Sequence, residues 1–397
     1  MEKVYLRPRR EDSILRFHPW VFSGAIAQVT GDPLEGDLVA VYSSEGEYLA
    51  TGHYQIGSIA VRILSFDEKP TLPDFWEKMI QRAFQARFAC GLHGSASTNC
   101  YRLVHGEGDG LPGLIIDYYD GVCVLQAHSV GMFKAKNAIC EALKAVYGDT
   151  LKAVYDKSSG TAPFKAGLDL VDGYLYKAPG FDTDECVVLE NGNKFHVNWN
   201  EGQKTGFFLD QRENRAAVGQ LAKDRNVLNL FCYTGGFSIY ALNGGAVHVD
   251  SVDSSKKAME MVDRNVALNG FTTEQHTSYC ADAIEFLRDV PEGKYDLIIV
   301  DPPAFAKHRG ALKNALRAYQ RLNAAAIAKV APGGFVFTFS CSQVVDKEAF
   351  ALAVFSAAAQ TGRSVRILDR LNQPADHAVN IYHPEGEYLK GLLLYVE

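Results

Sequence analysis

Apolar and polar positions follow three different patterns along the chain. Over residues 1–70, short apolar runs such as DLVAVY and SIAVRIL alternate with the turn signals GD, SSEGE and QIGS. Short runs broken by such signals predict a small β module. The two prolines of KPTLPD, residues 69–74, then mark a boundary. Beyond it the apolar residues repeat at helical spacing, which predicts an amphipathic helix after Asp74 that ends before Gly91. The predicted buried face of this helix consists of Trp76, Met79, Ile80, Ala83, Phe84 and Phe88.

The middle of the chain mixes strand and helix patterns. Strands are predicted over 101–130 and 151–156, with a helix over 132–147 that ends before Gly148. The segment VVLENGNKFHVNW carries Asn-Gly between two apolar alternations, which is a strong signal for a two-residue hairpin. We expect this hairpin to open the last domain.

From residue 226 onward, strand and helix patterns alternate. The strand candidates are NVLNLF, AVHVDSVD, residues 274–279, YDLIIVD, GFVFTFS and LKGLLLYVE. Such alternation predicts parallel strands with right-handed crossovers, an α/β fold with an open Rossmann-like sheet. The chain is therefore expected to have three parts: 1–72, 73–187 and 188–397.

Composition narrows the function classes. A chain of 397 residues has room for two or three domains. It has no apolar run of about 18 residues and no signal peptide at MEKVYLRPRRED, so a cytoplasmic protein without a membrane span is expected. Its eight cysteines form no CxxC pair, so neither a metal site nor a disulfide framework is predicted. The net charge of −7 argues against nonspecific coating of nucleic acid.

Candidate chemistry lies at the carboxyl ends of the predicted strands, where ligands bind in such sheets. Gly235 lies in the turn NLFCYTGGFS, and Asp253 follows 18 residues later, the spacing of a ribose-binding carboxylate. Asp282 and Asp301 follow the next two strands. Each aspartate alone could equally be a helix N-cap. Together they predict a pocket for an adenosine-containing ligand that has no phosphates to cradle.

Cys341, in FTFSCSQ, poses a choice between core packing and nucleophilic catalysis. It ends an otherwise buried strand, at the same predicted edge as Asp301 and Gly235. Cys232 competes for the nucleophile's role, but its place inside the glycine turn favours packing.

Taken in order, these motifs resemble the bacterial 23S rRNA (cytosine-5) methyltransferases with an N-terminal PUA domain, which are class I S-adenosylmethionine-dependent enzymes. The matching segments are HPWVFSGAI (18–26), RLVHGEGDGLPGLIID (102–117), EGQKTGFFLDQRENR (201–215), NLFCYTGGFS, SVDSSKKAME, DPPAFAK, FSCS and EYLKGL. The resemblance implies a PUA-like domain at 1–72, a central α+β domain at 73–187, and a seven-stranded, mostly parallel catalytic domain at 188–397.

The resemblance also implies a cofactor, S-adenosylmethionine, and a partner, 23S rRNA or a large-subunit precursor; it leaves a homodimer open. Gly235 would receive the methionine portion of the cofactor, Asp253 the ribose hydroxyls and Asp282 the adenine amine. The other implied cofactor residues are Phe231, Ser254, Gln211 and Arg212. Arg212 has an equally good interpretation as a structural ion-pair residue.

Cytosine methylation would give Cys341 a purpose, because carbon 5 accepts a methyl group only after a thiolate has added to carbon 6. Asp301 would bind the ring nitrogen. The implied RNA-binding residues are Pro302, Pro303, Lys307, Arg7, Arg9 and Arg10, although exposed arginines are more often a solvated face. Ala304 stands where other RNA cytosine methyltransferases often have a second cysteine, so the base that removes the carbon 5 proton is not identified. The alternatives are a guanine-modifying rRNA methyltransferase and a noncatalytic RNA-binding assembly factor.

Overall fold

The computed structural model of the chain describes residues 1–67, 70, 72–163, 167–306 and 308–397. Contacts divide the chain into two compact units. Unit 1 comprises residues 1–188, 197–209 and 375–386, and unit 2 comprises residues 189–196, 210–374 and 387–397. The predicted segments 1–72 and 73–187 both fall in unit 1, so the three-part division stays a prediction. Two pieces of the predicted catalytic segment also group with unit 1 because their contacts lie there.

The first sheet of unit 1 confirms the predicted β module. Its strands are β1 (Glu2–Leu6), β2 (Trp20–Phe22), β3 (Ile26–Val29), β4 (Leu38–Tyr42), β5 (Tyr48–Tyr54) and β6 (Ile59–Ser65), with the short helix α1 (Asp12–Leu15) after β1. In the described residues their order is β2-β6-β5-β4-β1-β3, and only β1 and β4 pair in parallel. Val4, Val39, Val41 and Val61 are fully buried at its core.

The second sheet of unit 1 is flanked by helices. Its elements are α2 (Phe75–Ala89), β7 (Cys100–His105), β8 (Leu114–Tyr119), β9 (Val122–Ala127), α3 (Val130–Lys134), α4 (Lys136–Tyr147), β10 (Ala153–Asp156) and β11 (Gly173–Lys177). Helix α2 begins after Asp74, and Gly91 takes a left-handed φ of 71° just past its end, as predicted. Two details differ. Phe88 is exposed rather than packed, and the predicted helix at 132–147 is interrupted at Ala135.

A hairpin follows, formed by β12 (Glu185–Glu190) and β13 (Asn193–Asn198). Asn191 and Gly192 have φ values of 50° and 82°, the two left-handed positions of a type I′ turn. The Asn-Gly signal therefore predicted the connection correctly.

Unit 2 is built on a seven-strand sheet within the described residues. Its elements are α5 (Arg212–Leu221), β14 (Asn226–Leu230), α6 (Gly236–Asn243), β15 (His248–Asp253), α7 (Lys256–Leu268), β16 (His276–Cys280), α8 (Ala283–Asp289), β17 (Tyr295–Val300), α9 (Leu312–Lys329), β18 (Val330–Ser340), α10 (Lys347–Thr361), β19 (Val365–Asn372) and β20 (Lys390–Val396). The strand order is β16-β15-β14-β17-β18-β20-β19. Strands β14 to β18 are mutually parallel, while β20 runs antiparallel to both of its neighbours.

The apolar runs of β14 and β17 suit the centre of this sheet, because strands covered by helices on both faces have no polar side. Leu228, Ile298 and Val336 are fully buried there. Strand β19 was not predicted; four of the eight residues of VRILDRLN are apolar, but most of its side chains are exposed at the sheet edge. In the part of the chain that the structure describes, no helix has the length and apolar character needed to cross a bilayer.

Candidate active site

Four strand ends meet at one edge of the unit 2 sheet. Leu230, at the end of β14, is in register with Val252 of β15 on one side and with Val300 of β17 on the other. Val300 is in turn in register with Thr338 of β18. Asp253 is the last residue of β15, and the segments that follow the other three strands carry Gly235, Asp301 and Cys341. Neighbouring strands lie about 4.8 Å apart, so the four groups are presented along roughly 14 Å of one sheet edge.

The loop after β14 has a strained backbone. Phe231 and Tyr233 have φ values of 56° and 48°, and Gly235 has a φ of 82°. A non-glycine residue in this region costs about 1–3 kcal/mol and is held there only by its surroundings. The positive φ of Gly235 favours glycine, and a Cβ there would also crowd the side chain of Val262, at 3.2 Å.

Asp253 fixes this loop. One carboxylate oxygen accepts the backbone N–H of Tyr233 at 3.0 Å, and the other accepts that of Ser255 at 2.9 Å. The side chain is half-buried, and each oxygen keeps a second lone pair. Asp253 can therefore accept hydrogen bonds from a ribose diol while it holds the glycine loop. Ser254 beside it is exposed.

Asp282 takes the N-cap role. One of its oxygens accepts the backbone N–H groups of Ile284 and Glu285, both at 2.9 Å, at the start of α8. The side chain is exposed. The cap explains why an aspartate stands here without any ligand, so contact with an adenine amine stays a prediction.

Asp301 is oriented by residues that precede the sheet in sequence. Gln211 donates from Nε2 to Asp301 Oδ2 at 3.1 Å, and its own Oε1 accepts from Asn214 at 2.6 Å. Gln211 and Asn214 are buried. Gln211 therefore positions the candidate catalytic carboxylate, a contact that the sequence did not predict. Of the prolines that follow, Pro302 is buried and Pro303 is exposed.

Arg212 and Phe231 lie inside the unit. Arg212 is buried, with Nε 3.6 Å from a carboxylate oxygen of Glu190. Arg212 therefore forms the structural ion pair that is one of its two predicted roles. Phe231 is half-buried against the core below the sheet edge. Direct cofactor contacts of both residues stay predictions.

The two candidate thiols differ in environment. Cys232 is buried, and burial together with the charge of Asp253 raises the pKa of its thiol well above the ordinary value. A thiol held in its protonated form is a poor nucleophile. Cys341 is half-buried at the end of β18, where a substrate can reach it. The environment therefore favours Cys341.

The residues on either side of Cys341 are anchored. Ser340 is buried and donates to the hydroxyl of Tyr319 at 2.9 Å. Ser342 is buried and donates to the carbonyl of Ala306 at 2.6 Å. Because Ala306 belongs to the DPPAFAK turn, this bond ties the Asp301 loop to the Cys341 loop. Burial raises the pKa of Tyr319 to about 12, and the nearby charges of Cys341 and Asp301 add to the rise.

Lys390 is a site residue that sequence reasoning missed. It begins β20, opposite Ser340 in register, and its buried ammonium lies in the loop that follows Cys341. The sequence feature that could have revealed Lys390 is the segment LKGLLLYVE, where one lysine begins an otherwise apolar strand. A charged residue at the start of a buried strand needs an explanation.

The predicted RNA-binding residues lie in two places. Arg7, Arg9 and Arg10 are exposed in unit 1, and Arg7 donates to the carbonyl of Ile26 at 3.0 Å. Pro302 and Pro303 lie in unit 2, and Lys307 lies outside the described residues. The EGQKTGFFLDQRENR segment is itself divided, with Lys204 in unit 1 and Gln211 in unit 2.

Two other features have the shape or the residue types of a site. A cavity of about 350 Å³ is lined by Asn226, His248, Asp250 and Tyr295 among others, at the amino ends of the strands and so away from the four candidate groups. In unit 1, ligand atoms of His18, His383 and Glu385 lie within 4.8 Å of one another. His18 Nδ1 accepts the backbone N–H of Trp20 at 3.2 Å, which leaves the proton on Nε2 and disfavours metal binding there.

Comparison with known proteins defines the class. The S-adenosylmethionine-dependent methyltransferase family matches residues 102–393, and a PUA-like domain matches residues 4–66. The chain belongs to the S-adenosylmethionine-dependent methyltransferases, and S-adenosylmethionine is its methyl donor. The Asp253 carboxylate and the glycine loop fit the diol and the methionine end of that cofactor.

The similarity to particular relatives extends over nearly the whole chain. A protein of Aeromonas hydrophila named ribosomal RNA large subunit methyltransferase I is 39% identical, with 98% of each chain covered. The protein of the same name from Pseudoalteromonas atlantica is 42% identical, again with 98% of each chain covered.

Solved structures support the fold. A Streptococcus mutans S-adenosylmethionine-dependent methyltransferase has a TM-score of 0.84 at 23% identity, with both chains fully covered. A methyltransferase structure complexed with SAH gives 0.85 at 24% identity, also with full coverage. At these identities the likeness concerns the fold alone.

Proposed function

We propose that the protein methylates carbon 5 of a cytidine in 23S rRNA through a covalent adduct with Cys341. The relatives named ribosomal RNA large subunit methyltransferase I support an rRNA substrate of the large subunit. The observation that carries the cytosine assignment is the half-buried, anchored thiol of Cys341 at the same sheet edge as Asp301. A guanine-modifying methyltransferase has no use for a nucleophilic thiol.

The thiolate of Cys341 forms a bond to carbon 6, and the electrons of the 5,6 double bond move toward carbon 5 and the ring. Asp301, held by Gln211 through Oδ2, acts in its carboxylic acid form and donates its proton to the ring nitrogen that gains electron density. The cofactor supplies an electrophilic methyl group and departs as the neutral thioether. Loss of the carbon 5 proton to a base then restores the double bond, breaks the sulfur–carbon bond and releases the thiolate.

The target base must leave its stack to enter this site, because the thiol and the methyl donor approach its ring at adjacent carbons. Pro303, exposed next to Asp301, is the proposed wall of the base pocket. Lys307 is kept as a predicted RNA contact. A basic cluster of Arg7, Arg9 and Arg10 on unit 1 is the proposed phosphate contact.

The test uses 23S rRNA that contains 5-fluorocytidine. Fluorine at carbon 5 cannot leave as a cation, so the methylated adduct cannot collapse and the enzyme should stay attached to RNA. We expect a band that resists denaturation and a modified peptide containing Cys341. Cys341→Ser should lose methyl transfer by several orders of magnitude while it still binds the cofactor, because a serine hydroxyl is neither ionised nor activated at this position.

Cys232→Ser is the matched control, and it should still form the adduct. An adduct on Cys232, or turnover by Cys341→Ser, would refute the proposed nucleophile. Nucleoside analysis of unsubstituted 23S rRNA methylated with labelled cofactor identifies the base. Methylguanosine would establish the guanine alternative, and cofactor binding without any methylation would favour a noncatalytic assembly factor.

A further inference from the structure

Lys390 is a buried cation that the mechanism above does not use. Its Nζ donates to the carbonyls of Ser342 and Val345, each at 2.5 Å. Both acceptors are neutral, and among the described residues no carboxylate forms an ion pair with Lys390. A buried ammonium that no carboxylate contacts directly is costly, so such a residue is expected to have a role beyond stability.

The two carbonyls that Lys390 binds belong to the loop that begins at Cys341. Ser340, directly before Cys341, lies opposite Lys390 in the antiparallel pairing of β18 and β20. The ammonium is therefore held beside Cys341 from a neighbouring strand. It has three N–H donors, and the two carbonyls use two of them.

We propose that Lys390 is a positioning residue that stabilises Cys341 in its thiolate form and fixes the loop that presents it. This inference rests on the proposed nucleophilic function of Cys341. In free solution a thiol is mostly protonated at neutral pH, so a nearby fixed cation increases the reactive fraction. The placement also lets the same charge stabilise the thiolate when it leaves carbon 6.

The charges around Lys390 fit this role. Burial lowers the pKa of Lys390 to about 8; the negative charges of Cys341, Asp346 and Glu387 oppose this shift, and the charge of Lys347 adds to it. The hydroxyl of Tyr319, which accepts from Ser340, is kept protonated by burial, which raises its pKa. Lys390 is therefore charged below about pH 8 and loses its charge above that value, in the range where a thiol titrates.

The test measures the rate at which iodoacetamide alkylates Cys341 between about pH 6 and 10, read by mass spectrometry of the Cys341 peptide. Lys390→Gln keeps N–H donors for the two carbonyls but removes the charge, whereas Lys390→Arg keeps the charge. Lys347→Met removes a neighbouring, partly exposed charge and is the matched control. The exposed Cys280 provides an internal reference in every sample.

We expect Lys390→Gln to move the midpoint of the Cys341 profile to higher pH and to slow alkylation at pH 7 by about tenfold or more. Lys390→Arg and Lys347→Met should stay within about twofold of the unmodified protein. The pH profile of methyl transfer should shift in the same direction in Lys390→Gln. An unchanged Cys341 profile in folded Lys390→Gln would mean that Lys390 only holds the loop, and would overturn the proposal.

If Lys390→Gln does not fold, the reciprocal measurement decides. In Cys341→Ala, the Lys390 ammonium loses the attraction of the thiolate, so its NMR titration should move to lower pH than in the unmodified protein. An unmoved titration would reject the pairing. Because alkylation and titration need neither RNA nor methyl transfer, they test the pairing separately from the reaction proposed for the protein.

Discussion

Asp253 joins two tasks in one carboxylate. It accepts the backbone N–H groups of Tyr233 and Ser255, and we expect it also to accept hydrogen bonds from the ribose of the cofactor. Removing the side chain therefore removes ligand contacts and also frees a loop with strained φ values. The loss of contacts and the freeing of the loop both lower the affinity for the ligand. A relaxed loop lowers it because the loop must be ordered again when the ligand binds.

We expect Asp253→Ala to weaken S-adenosylmethionine binding by roughly 1.5–3 kcal/mol, because the carboxylate makes charge-assisted hydrogen bonds to two hydroxyls. Isothermal titration calorimetry measures the change. Asp263→Ala, on the exposed face of α7, is the control and should bind normally. Unchanged affinity in a folded Asp253→Ala protein would remove Asp253 from the cofactor site.

Asp282 and Arg212 show the limit of residue-by-residue prediction. Their sequence positions suit a ligand contact and an ordinary structural role equally well, and the structure shows each in a structural role: a helix cap for Asp282 and an ion pair for Arg212. Residue type and spacing do not reveal which partners a side chain will meet. Cys232 is buried, in agreement with the packing role predicted from its place within a turn, whereas the nucleophilic role of Cys341 stays a prediction.

The tip of the β12–β13 hairpin is fastened by a buried ionic cluster in unit 2. Glu190 is fully buried and receives two hydrogen bonds of 2.8 Å from Arg215, one to each oxygen. The Tyr240 hydroxyl lies 2.9 Å from the same carboxylate. The Glu190 carboxylate thus binds a side chain from each of two helices, Arg215 of α5 and Tyr240 of α6.

Glu190→Gln should destabilise the protein by about 3–5 kcal/mol, since it leaves the buried charge of Arg215 uncompensated. Urea unfolding followed by circular dichroism measures the loss, and hydrogen exchange should show that protection falls in α5 and α6. The control Glu213→Gln lies on the exposed side of α5 and should change stability by less than about 0.5 kcal/mol. Equal stability of the two variants would contradict this account.

At the scale of elements, the sequence predicted those strands and turns that depend on a local pattern of residues. The apolar periods predicted the parallel strands, and Asn191-Gly192 predicted its turn. The edge strand β19 was missed because its side chains are mostly exposed and its apolar residues do not alternate regularly: Ile367 and Leu368 are adjacent. Lys390 and Gln211 were not assigned to Cys341 and Asp301 because their partners lie far away in sequence and meet only after the sheet has formed.

At the scale of the molecule, the N-terminal β module is part of unit 1 and is not a free appendage. Trp20 donates to Glu107 at 2.9 Å, and Arg62 pairs with the same carboxylate at 2.8 Å. Deleting residues 1–70 would leave Glu107 partly buried without these partners. Charge reversal on the module's surface is therefore a cleaner test of RNA binding than truncation.

We expect the double substitution Arg9→Glu and Arg10→Glu to raise the apparent KM for RNA and to leave the Kd for S-adenosylmethionine unchanged. The salt dependence of RNA binding should weaken by about one in slope for each phosphate contact that is lost. Arg288→Glu, an exposed reversal in unit 2, is the control. If RNA kinetics and salt dependence match those of the control, Arg9 and Arg10 form only a solvated face.

The chain passes back and forth between the two units, with residues 197–209 and 375–386 of unit 1 lying between stretches of unit 2. The methyltransferase sheet is consequently not a portable module. An excised segment from 210 to 397 would lack Glu190 and would carry the 375–386 loop without the unit in which it packs. Engineering a new RNA specificity onto this catalytic sheet would therefore require all three unit 1 segments to be exchanged together.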